Sequence, residues 1–357
     1  MSAEISVAAC AYWLPDRLAT EEAEARGVCP PGTGAETGLE TVTVSDGPSG
    51  PEMAARAARV ALERSDTGPG DVELILHASI YYQGQELWAP ASYVQRAAVG
   101  NQCPAFSLGQ VSNGGMGAME LANAHLQTAS DTSSVLITTG DRFCPPGFDR
   151  WGSDPGTVYA DGGTAVVLTR GRGFARLLGL ASASRPELEG MHRGAAPFGA
   201  VPFTHRDRVD LGACKDEFIR GAGRSFVISQ MVEGQRQVLK EALSQADTEM
   251  EDIDWFVLPH LGRRRLSATY FTPFGIDAAR STWAWARTVG HLGAGDQFSG
   301  LTHLVESGVV EPGQRILMVG VGAGFSWTCA VIEIRDRPSW AVPTRTRASR
   351  PVPRKVG

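Results

Sequence analysis

Three segments of the chain carry side chains that can do chemistry, each beside glycine or at the end of an apolar run. Ser112 stands in GQVSNGGMG, where a turn leads into a helical pattern, and His260 follows the apolar run WFVLP. His291 and Asp296 lie together in VGHLGAGDQ. Acyl transfer requires a nucleophile, a histidine base, a group that orients the base and backbone N–H donors. We therefore expect these four residues to form one catalytic site.

The role of Ser112 has two interpretations. A serine at the start of a helix commonly caps the free backbone N–H groups, and this alone explains the residue. As a nucleophile it needs a base, because a helix dipole is far too weak to ionise an alcohol. His260 or His291 would supply that base, and Asp296 would fix the tautomer of His291 or stabilise its protonated form. The sequence leaves open which histidine acts.

The elements that must position these residues occur twice along the chain. Each half has an apolar strand, an amphipathic helix, a buried strand and a glycine-rich turn into a second helix, followed by two more apolar strands. Strands that are apolar throughout, alternating with helices, predict sheets covered by helices on both faces. The chain is therefore predicted to have an α/β, duplicated α/β/α/β/α fold of five layers. The turns that carry Ser112 and His291 correspond in the two halves.

This duplication predicts the domain organisation. The first half spans residues 1–172 and contains the serine, and the second half spans residues 173–335 and contains both histidines. Residues 336–357 are basic and rich in proline, which is typical of a flexible, solvated tail.

Composition excludes several classes of partner. The chain has 357 residues, 43% of them hydrophobic, and a net charge of −6 gives no general attraction to nucleic acid. It has no apolar run of about 18 residues or more that could span a membrane, and its first residues lack the basic start of a secretory signal. The six cysteines are far apart and show no metal-ligand spacing. We expect a cytoplasmic protein with reduced thiols and no bound metal.

The motifs resemble, in their order, the ketoacyl synthase III branch of the thiolase superfamily. CPAFSLGQVSNGG is similar to that family's nucleophile segment, in which a cysteine occupies the position of Ser112. VLPHLGRRRL is similar to its Pro-His-Gln-Ala-Asn segment and carries over His260, whereas VGHLGAGDQ has His291 where the family has asparagine. VGVGAGFSW is similar to its glycine-rich oxyanion loop. The resemblance covers nearly the whole chain to about residue 335 and implies a thiolase-like fold.

The resemblance also implies binding roles. The backbone N–H groups of Ser112 and Gly324 would form the oxyanion hole. Arg265 falls where the family has an arginine that contacts the phosphate of coenzyme A or the carrier arm, although an arginine run is often only a solvated face. His192 lies in a glycine-rich loop and is a candidate for the pocket wall. The family further implies acyl-coenzyme A as a substrate rather than a bound cofactor, an acyl carrier protein as partner, and a homodimer.

The two departures from the family pattern are mutually consistent. Ser112 is a weaker nucleophile than the family's cysteine, and His291 adds the base that a serine needs. A serine variant of this kind resembles the starter-unit synthases of bacterial aromatic polyketide pathways, especially the daunorubicin-type branch.

Three functions remain open. The favoured one is a starter-unit synthase for antibiotic biosynthesis, which loads a short, propionyl-like acyl group from coenzyme A onto Ser112 and condenses it with malonyl-acyl carrier protein. The second is an acyltransferase that passes the acyl group to a hydroxyl or carrier thiol without condensation, because a serine ester is less activated than a thioester. The third is a non-catalytic partner that only binds acyl carrier protein or scaffolds a synthase complex.

Overall fold

The computed structural model describes residues 3–341, along which strands and helices are interspersed. The strands are β1 Ile5–Trp13, β2 Arg17–Ala19, β3 Thr41–Thr43, β4 Val72–Ala78, β5 Ala105–Leu108, β6 Ser134–Asp141, β7 Gly162–Arg170, β8 Ala175–Ser184, β9 Trp255–Val257, β10 Arg315–Gly322 and β11 Ser326–Ile334. The helices are α1 Thr20–Ala25, α2 Thr33–Thr37, α3 Gly50–Ser65, α4 Pro90–Val94, α5 Gly114–Leu126, α6 Gly190–Arg193, α7 Leu211–Ala222, α8 Arg224–Gln245, α9 Arg263–Leu266, α10 Thr272–Phe274, α11 Trp283–Ala286 and α12 Asp296–Glu306.

Nine of the strands form one mixed sheet in the order β5-β4-β6-β7-β1-β8-β11-β10-β9. Strand β4 runs parallel to β5 and β6, and β9 runs parallel to β10, whereas the other neighbours are antiparallel. The two halves of the chain meet where β1 pairs with β8 over a short register, with Ser6 opposite Arg176 and Val7 opposite Ala175. The strands of the two halves therefore form one continuous sheet, joined by this short pairing of β1 with β8. Strands β2 and β3 form a separate pair.

Helices cover the two half-sheets and fill the space between them. Helix α3 packs on β1, β6 and β7, and α8 packs on β8 and β11. Helices α5 and α12 contact strands of both halves and each other, so they form the middle layer. The predicted α/β/α/β/α layering is confirmed. The two helices of the middle layer begin at the turns that carry the serine and the second histidine, which places both turns at the same level of the fold.

The sequence pattern explains why the layers pack closely. Strands β6 and β7 are buried along almost their whole length, as expected for strands covered on both faces. The buried face of α3 consists mostly of alanine, including Ala54, Ala57 and Ala58, so its backbone can approach the sheet. Its start is fixed by a capping box in which Ser49 and Glu52 satisfy each other's free N–H groups.

The predicted tail, 336–357, is described only in part. Trp340 packs edge-on against Phe174 with ring centroids 5.6 Å apart, and the guanidinium of Arg64 lies 4.5 Å from the centroid of the Trp340 ring. Residues 342–357 lie outside the described residues. All six cysteines fall within the described part and are free thiols. Within that part, no helix is both long and apolar enough to cross a membrane.

The contact between α3 and β7 depends on Gly163. A Cβ at this position would lie 2.3 Å from the carbonyl carbon of Met53 and 2.4 Å from the backbone nitrogen of Ala54. We expect Gly163→Ala to lower the free energy of unfolding by about 1–3 kcal/mol, because a backbone cannot yield as a side chain can. Urea denaturation measures the change.

Gly70→Ala is the matched control, since a Cβ there meets nothing within 4 Å. It should change the free energy of unfolding by no more than about 0.5 kcal/mol. Equal losses in the two variants would contradict the proposed close approach.

Candidate active site

Ser112 lies in a short 3-10 turn, Val111–Asn113, between β5 and α5. The preceding residue, Val111, has φ of 49°, a left-handed conformation that β-branched residues rarely adopt and that is typical of functional turns. Helix α5 has no side-chain cap. The Ser112 hydroxyl instead forms a hydrogen bond with Nε2 of His291 at 2.9 Å. The interpretation of Ser112 as a helix cap is therefore wrong.

Two glycines bring the serine turn against its neighbours on either side. A Cβ on Gly115 would lie 2.5 Å from the carbonyl oxygen of Ala294, in the loop after His291. A Cβ on Gly322 would lie 2.3 Å from the carbonyl oxygen of Gln110, at the start of the serine turn. The glycine-rich motifs therefore let three backbone segments approach closely, and they hold the start of α5 beside the histidine loop and the end of β10.

The backbone of His291 is fixed by bonds to the first half of the chain. Its N–H donates to the carbonyl of Val158 at 2.9 Å, and its carbonyl accepts from the N–H of Ala160 at 2.7 Å. The ring of Tyr159 stands edge-on to the imidazole, with centroids 4.9 Å apart. These contacts anchor the histidine at its backbone and leave its ring oriented by the groups on its two nitrogens.

Those two groups are a carboxylate and an alcohol. Nδ1 of His291 lies 2.6 Å from Oδ2 of Asp296, and Nε2 lies 2.9 Å from Oγ of Ser112. An ionised carboxylate only accepts, so the proton of a neutral imidazole is on Nδ1 and Nε2 is free to accept from the serine hydroxyl. The structure thus brings Ser112, His291 and Asp296 together in a continuous series of hydrogen bonds.

Asp296 is fully buried, and four groups surround its carboxylate. The backbone N–H of His260 donates to Oδ2 at 2.7 Å, and that of Leu292 donates to Oδ1 at 2.8 Å. Nδ1 of His291 donates to Oδ2, and Nδ1 of His260 lies 3.4 Å from Oδ1. Burial alone would raise the pKa of Asp296, but the two histidines and the N–H donors together hold that pKa below its ordinary value. The carboxylate stays ionised opposite His291.

His260 lies in the same cluster but has a different environment. Its Nδ1 donates to the carbonyl of Gly290 at 3.0 Å, and its ring stands edge-on to Trp285. Its Nε2 is buried without a hydrogen-bond partner among the described residues. Burial lowers the pKa of His260, although Asp296 opposes the shift. Of the two histidines that the sequence offered as a base, only His291 forms a hydrogen bond with Ser112.

A cavity of about 290 Å³ opens at Ser112 and His291. Aromatic and aliphatic side chains form most of its surface, and a smaller group of charged and polar side chains forms the remainder. Its lining residues are Ser112, Asp154, Thr157, Tyr159, Met191, His192, Lys215, Met231, Pro259, Leu261, Arg265, Thr269, Tyr270, His291, Val321, Gly322, Ala323, Phe325 and Trp327. His260 and Asp296 are not among them. Within residues 3–341, no group of three or more His, Cys, Asp and Glu side chains is placed to hold a metal.

The glycine-rich turn between β10 and β11 reaches the cavity at residues other than the predicted one. Gly322, Ala323 and Phe325 line the cavity, whereas Gly324 is exposed and does not. The backbone of Gly324 has φ of 139°, a conformation that favours glycine. The cavity lining therefore favours Ala323 over Gly324 as the second oxyanion donor, and the donor role of this turn stays a prediction.

Arg265 lies in the cavity wall, but its guanidinium is already engaged. Its two terminal nitrogens each lie 3.2 Å from a carboxylate oxygen of Asp154. They also donate to the hydroxyl of Thr157 and the carbonyl of Pro155. These bonds occupy the four N–H donors of the two terminal nitrogens and leave the Nε–H of the guanidinium for a further contact. Arg265 therefore forms a partly buried ion pair with Asp154, and its expected contact with a phosphate stays a prediction.

Sequence reasoning missed two residues of this wall, Asp154 and Lys215. They lie on different segments, and their contact is tertiary. The one available signal was composition, because Lys215 is one of three lysines in a chain whose other basic residues are arginines. His192, which the sequence suggested as a pocket residue, lies in the same wall, edge-on to Phe325. Its pKa is lowered to about 4, by burial first and then by Lys215.

Comparison with known proteins gives a consistent set of relatives. The family model described as 3-oxoacyl-[acyl-carrier-protein (ACP)] synthase III C terminal matches residues 243–334. A β-ketoacyl-[acyl-carrier-protein] synthase III from Rhizorhabdus wittichii is 28% identical over 297 residues, which cover 83% of this chain and 88% of that protein. The structure of ChlB3, described as an acyltransferase, is 32% identical with a TM-score of 0.90, covering 95% of this chain and 100% of that one.

A further solved structure supports the fold alone. OleA from Xanthomonas campestris has a TM-score of 0.70 at 18% identity and covers 92% of this chain and 98% of its own. Similarity over nearly the full length of both chains means that the two proteins share the complete layered fold.

The geometry makes Asp296→Asn a direct test of the cluster. The amide nitrogen of asparagine cannot accept from the N–H donors that the carboxylate now satisfies, and the amide cannot stabilise a charged His291. We expect formation of the acyl-enzyme to slow by on the order of 10²- to 10⁴-fold. Intact-mass measurement of the acyl adduct over time gives the rate.

Asp277→Asn is the control, because Asp277 is an exposed carboxylate that only caps a short 3-10 turn. Its rate should match that of the unaltered protein. A normal rate in Asp296→Asn would mean that the carboxylate does not act on His291.

Proposed function

Because this chain belongs to the ketoacyl synthase III-like family of acyltransferases, which has the thiolase fold, we propose that it transfers acyl groups through an ester on Ser112. The observation that carries the proposal is the series of hydrogen bonds from Ser112 through His291 to Asp296. A serine with such partners becomes a nucleophile at neutral pH, because its proton has an acceptor in place.

In the first half of the reaction, Oγ of Ser112 attacks the thioester carbonyl carbon, and its proton moves to Nε2 of His291. Asp296 stabilises the resulting imidazolium. The backbone N–H groups of Ser112 and Ala323 stabilise the oxyanion. The carbon–sulfur bond then breaks, and His291 returns the proton to the departing thiolate. In the second half, an acceptor hydroxyl or thiol gives its proton to His291 and attacks the ester carbonyl carbon. The bond from that carbon to Oγ of Ser112 then breaks, and His291 returns the proton to Oγ.

The site supports simple transfer better than condensation. Decarboxylation of a malonyl thioester requires donors at the enolate oxygen, and in the resembling family a histidine and an asparagine supply them. Here His291 replaces the asparagine and already bonds Ser112 and Asp296. His260 does not line the cavity. A serine ester also gives less driving force for carbon–carbon bond formation than a thioester.

The proposed donor is a short acyl-coenzyme A, which acts as a substrate. A cavity of about 290 Å³ holds an acyl group of a few carbons, since a water molecule takes about 30 Å³ in the liquid. An acyl carrier protein is the proposed macromolecular partner, because the curated relatives are named for that substrate. A homodimer in the cytoplasm remains part of the proposal.

A second candidate is the starter-unit synthase that the sequence favoured. It is supported by the names of the curated relatives, which are β-ketoacyl-[acyl-carrier-protein] synthases III. Both candidate functions begin with acylation of Ser112, and they differ in the group that accepts the acyl chain. Addition of malonyl-acyl carrier protein to the acylated enzyme separates the two candidates, since condensation alone releases carbon dioxide and a 3-ketoacyl product.

Acylation of Ser112 is tested with propionyl-coenzyme A and intact-mass measurement. The unaltered protein should gain one propionyl group, Ser112→Ala none, and Ser112→Cys one, because a thiol is the better nucleophile. Ser307→Ala is the control, since Ser307 is an exposed serine at the end of α12. An adduct on Ser112→Ala, or none on the unaltered protein, would remove Ser112 from the mechanism.

His291→Asn restores the residue of the resembling family and removes the base. We expect acylation of Ser112 to slow by on the order of 10²-fold or more, because asparagine cannot take up the proton. Adding Ser112→Cys to this variant should recover much of the rate, since a thiol ionises without that base. An unchanged rate in His291→Asn alone would show that another group acts as the base.

A further inference from the structure

One wall of the cavity carries more positive than negative charge. Nζ of Lys215 lies 2.5 Å from Oδ1 of Asp154, and the guanidinium of Arg265 binds both oxygens of the same carboxylate. A single anion therefore faces two cations. Asp154 is the sole acidic residue among the described residues that line the cavity.

Burial shields Lys215 and Asp154 from water more than Arg265, whose side chain is 31% exposed. The side chains of Asp154 and Lys215 are only 5% and 19% exposed. Burial lowers the pKa of Lys215, and Arg265 acts in the same direction, whereas Asp154 opposes the shift. His192 and Tyr159, which also line the cavity, leave the charge of the wall unchanged, because burial lowers the pKa of the imidazole and raises the pKa of the phenol. The wall thus retains an excess of one positive charge.

The ammonium of Lys215 also has N–H donors without an acceptor among the described residues. It carries three N–H groups, and Asp154 takes one of them; the described residues provide no further hydrogen-bond partner. Its position is fixed, because α7 is capped by Asp210 and the N–H of Leu211 donates to the carbonyl of Ser153 at 2.7 Å. A group that enters the cavity meets a rigidly held cation with free donors.

We propose that this wall binds a carboxylate at the far end of the acyl group, so that the preferred donor is the thioester of a short dicarboxylic acid. The inference rests on the proposed function, because it specifies the acyl group that Ser112 receives. The methylene groups between the two carboxyl carbons would lie against the apolar side of the cavity, which includes Met191, Tyr270 and Trp327. The terminal carboxylate would neutralise the excess charge and take the free donors of Lys215.

Binding to the Ser112→Ala variant tests the proposal without acylation. Succinyl-coenzyme A and butyryl-coenzyme A have acyl chains of similar length and differ in the terminal charge. Isothermal titration calorimetry should give a Kd for succinyl-coenzyme A lower by on the order of 10- to 100-fold, as expected for charge-assisted hydrogen bonds. Adding Lys215→Met should remove this preference, because Asp154 and Arg265 then form a neutral pair.

Three further variants in the same background make the result specific. Lys215→Gln is a second uncharged replacement, and circular dichroism checks that each variant is folded. Lys215→Arg keeps the charge and should restore the preference. Lys240→Met is the matched control, since Lys240 is exposed on α8, and it should leave the ratio of the two Kd values unchanged.

The outcomes separate this inference from the proposed function. Equal Kd values for the two thioesters in Ser112→Ala, or a preference that survives both Lys215→Met and Lys215→Gln, overturn the carboxylate site. If the unaltered protein forms no acyl adduct with either thioester while the binding preference holds, acyl transfer fails and the carboxylate site stands. If adducts form without a binding preference, transfer stands and the carboxylate site fails.

Discussion

The carboxylate of Asp296 accepts hydrogen bonds from two loops that are distant in sequence. Its partners are the backbone N–H groups of His260 and Leu292 and the imidazole of His291. A buried carboxylate is several kcal/mol unfavourable unless such donors compensate it. Each loop is therefore held in the position that supplies a donor. His291 has one orientation that satisfies the carboxylate, and in it the second ring nitrogen meets Ser112.

The duplicated fold explains why these groups converge. Helices α5 and α12 form the middle layer, and both begin at the site. Asp296 is in the first turn of α12, where the positive end of the helix dipole favours an anion. Ser112 stands two residues before the first residue of α5, so an oxyanion that forms there lies near the positive end of a second helix. Each half of the chain thus contributes one helix start, and the site exists only between the halves.

The sequence predicted those parts of the molecule that depend on local pattern. Hydrophobic periodicity was sufficient to predict the layers of the fold. The residue types in the two glycine-rich turns were sufficient to predict that Ser112, His291 and Asp296 lie together. The choice between His260 and His291 depended on ring orientation, which no spacing encodes. Asp154 and Lys215 are separated by 61 positions, and only packing of α7 against the cavity brings them together.

The roles predicted for Gly324 and Arg265 depend on contacts that a sequence motif does not specify. Gly324 and Ala323 are neighbours in one tight turn, and backbone geometry decides which of them faces the cavity. Arg265 was correctly placed near the site, but its partner Asp154 was not visible in the sequence. A motif therefore located a segment reliably, whereas the role of each residue in it depended on contacts with another segment.

The left-handed backbone at Val111 lowers the thermal stability of the protein but restricts the position of the nucleophile on which turnover depends. Such a conformation costs about 1–3 kcal/mol at a non-glycine residue, a large share of the net stability of a protein. Selection for heat resistance would favour a residue that tolerates this conformation, because the gain needs no other change in the structure. Yet the strained peptide directly precedes the hydroxyl that must meet His291. A residue that relaxes the backbone at position 111 would therefore allow the Ser112 hydroxyl a wider range of orientations.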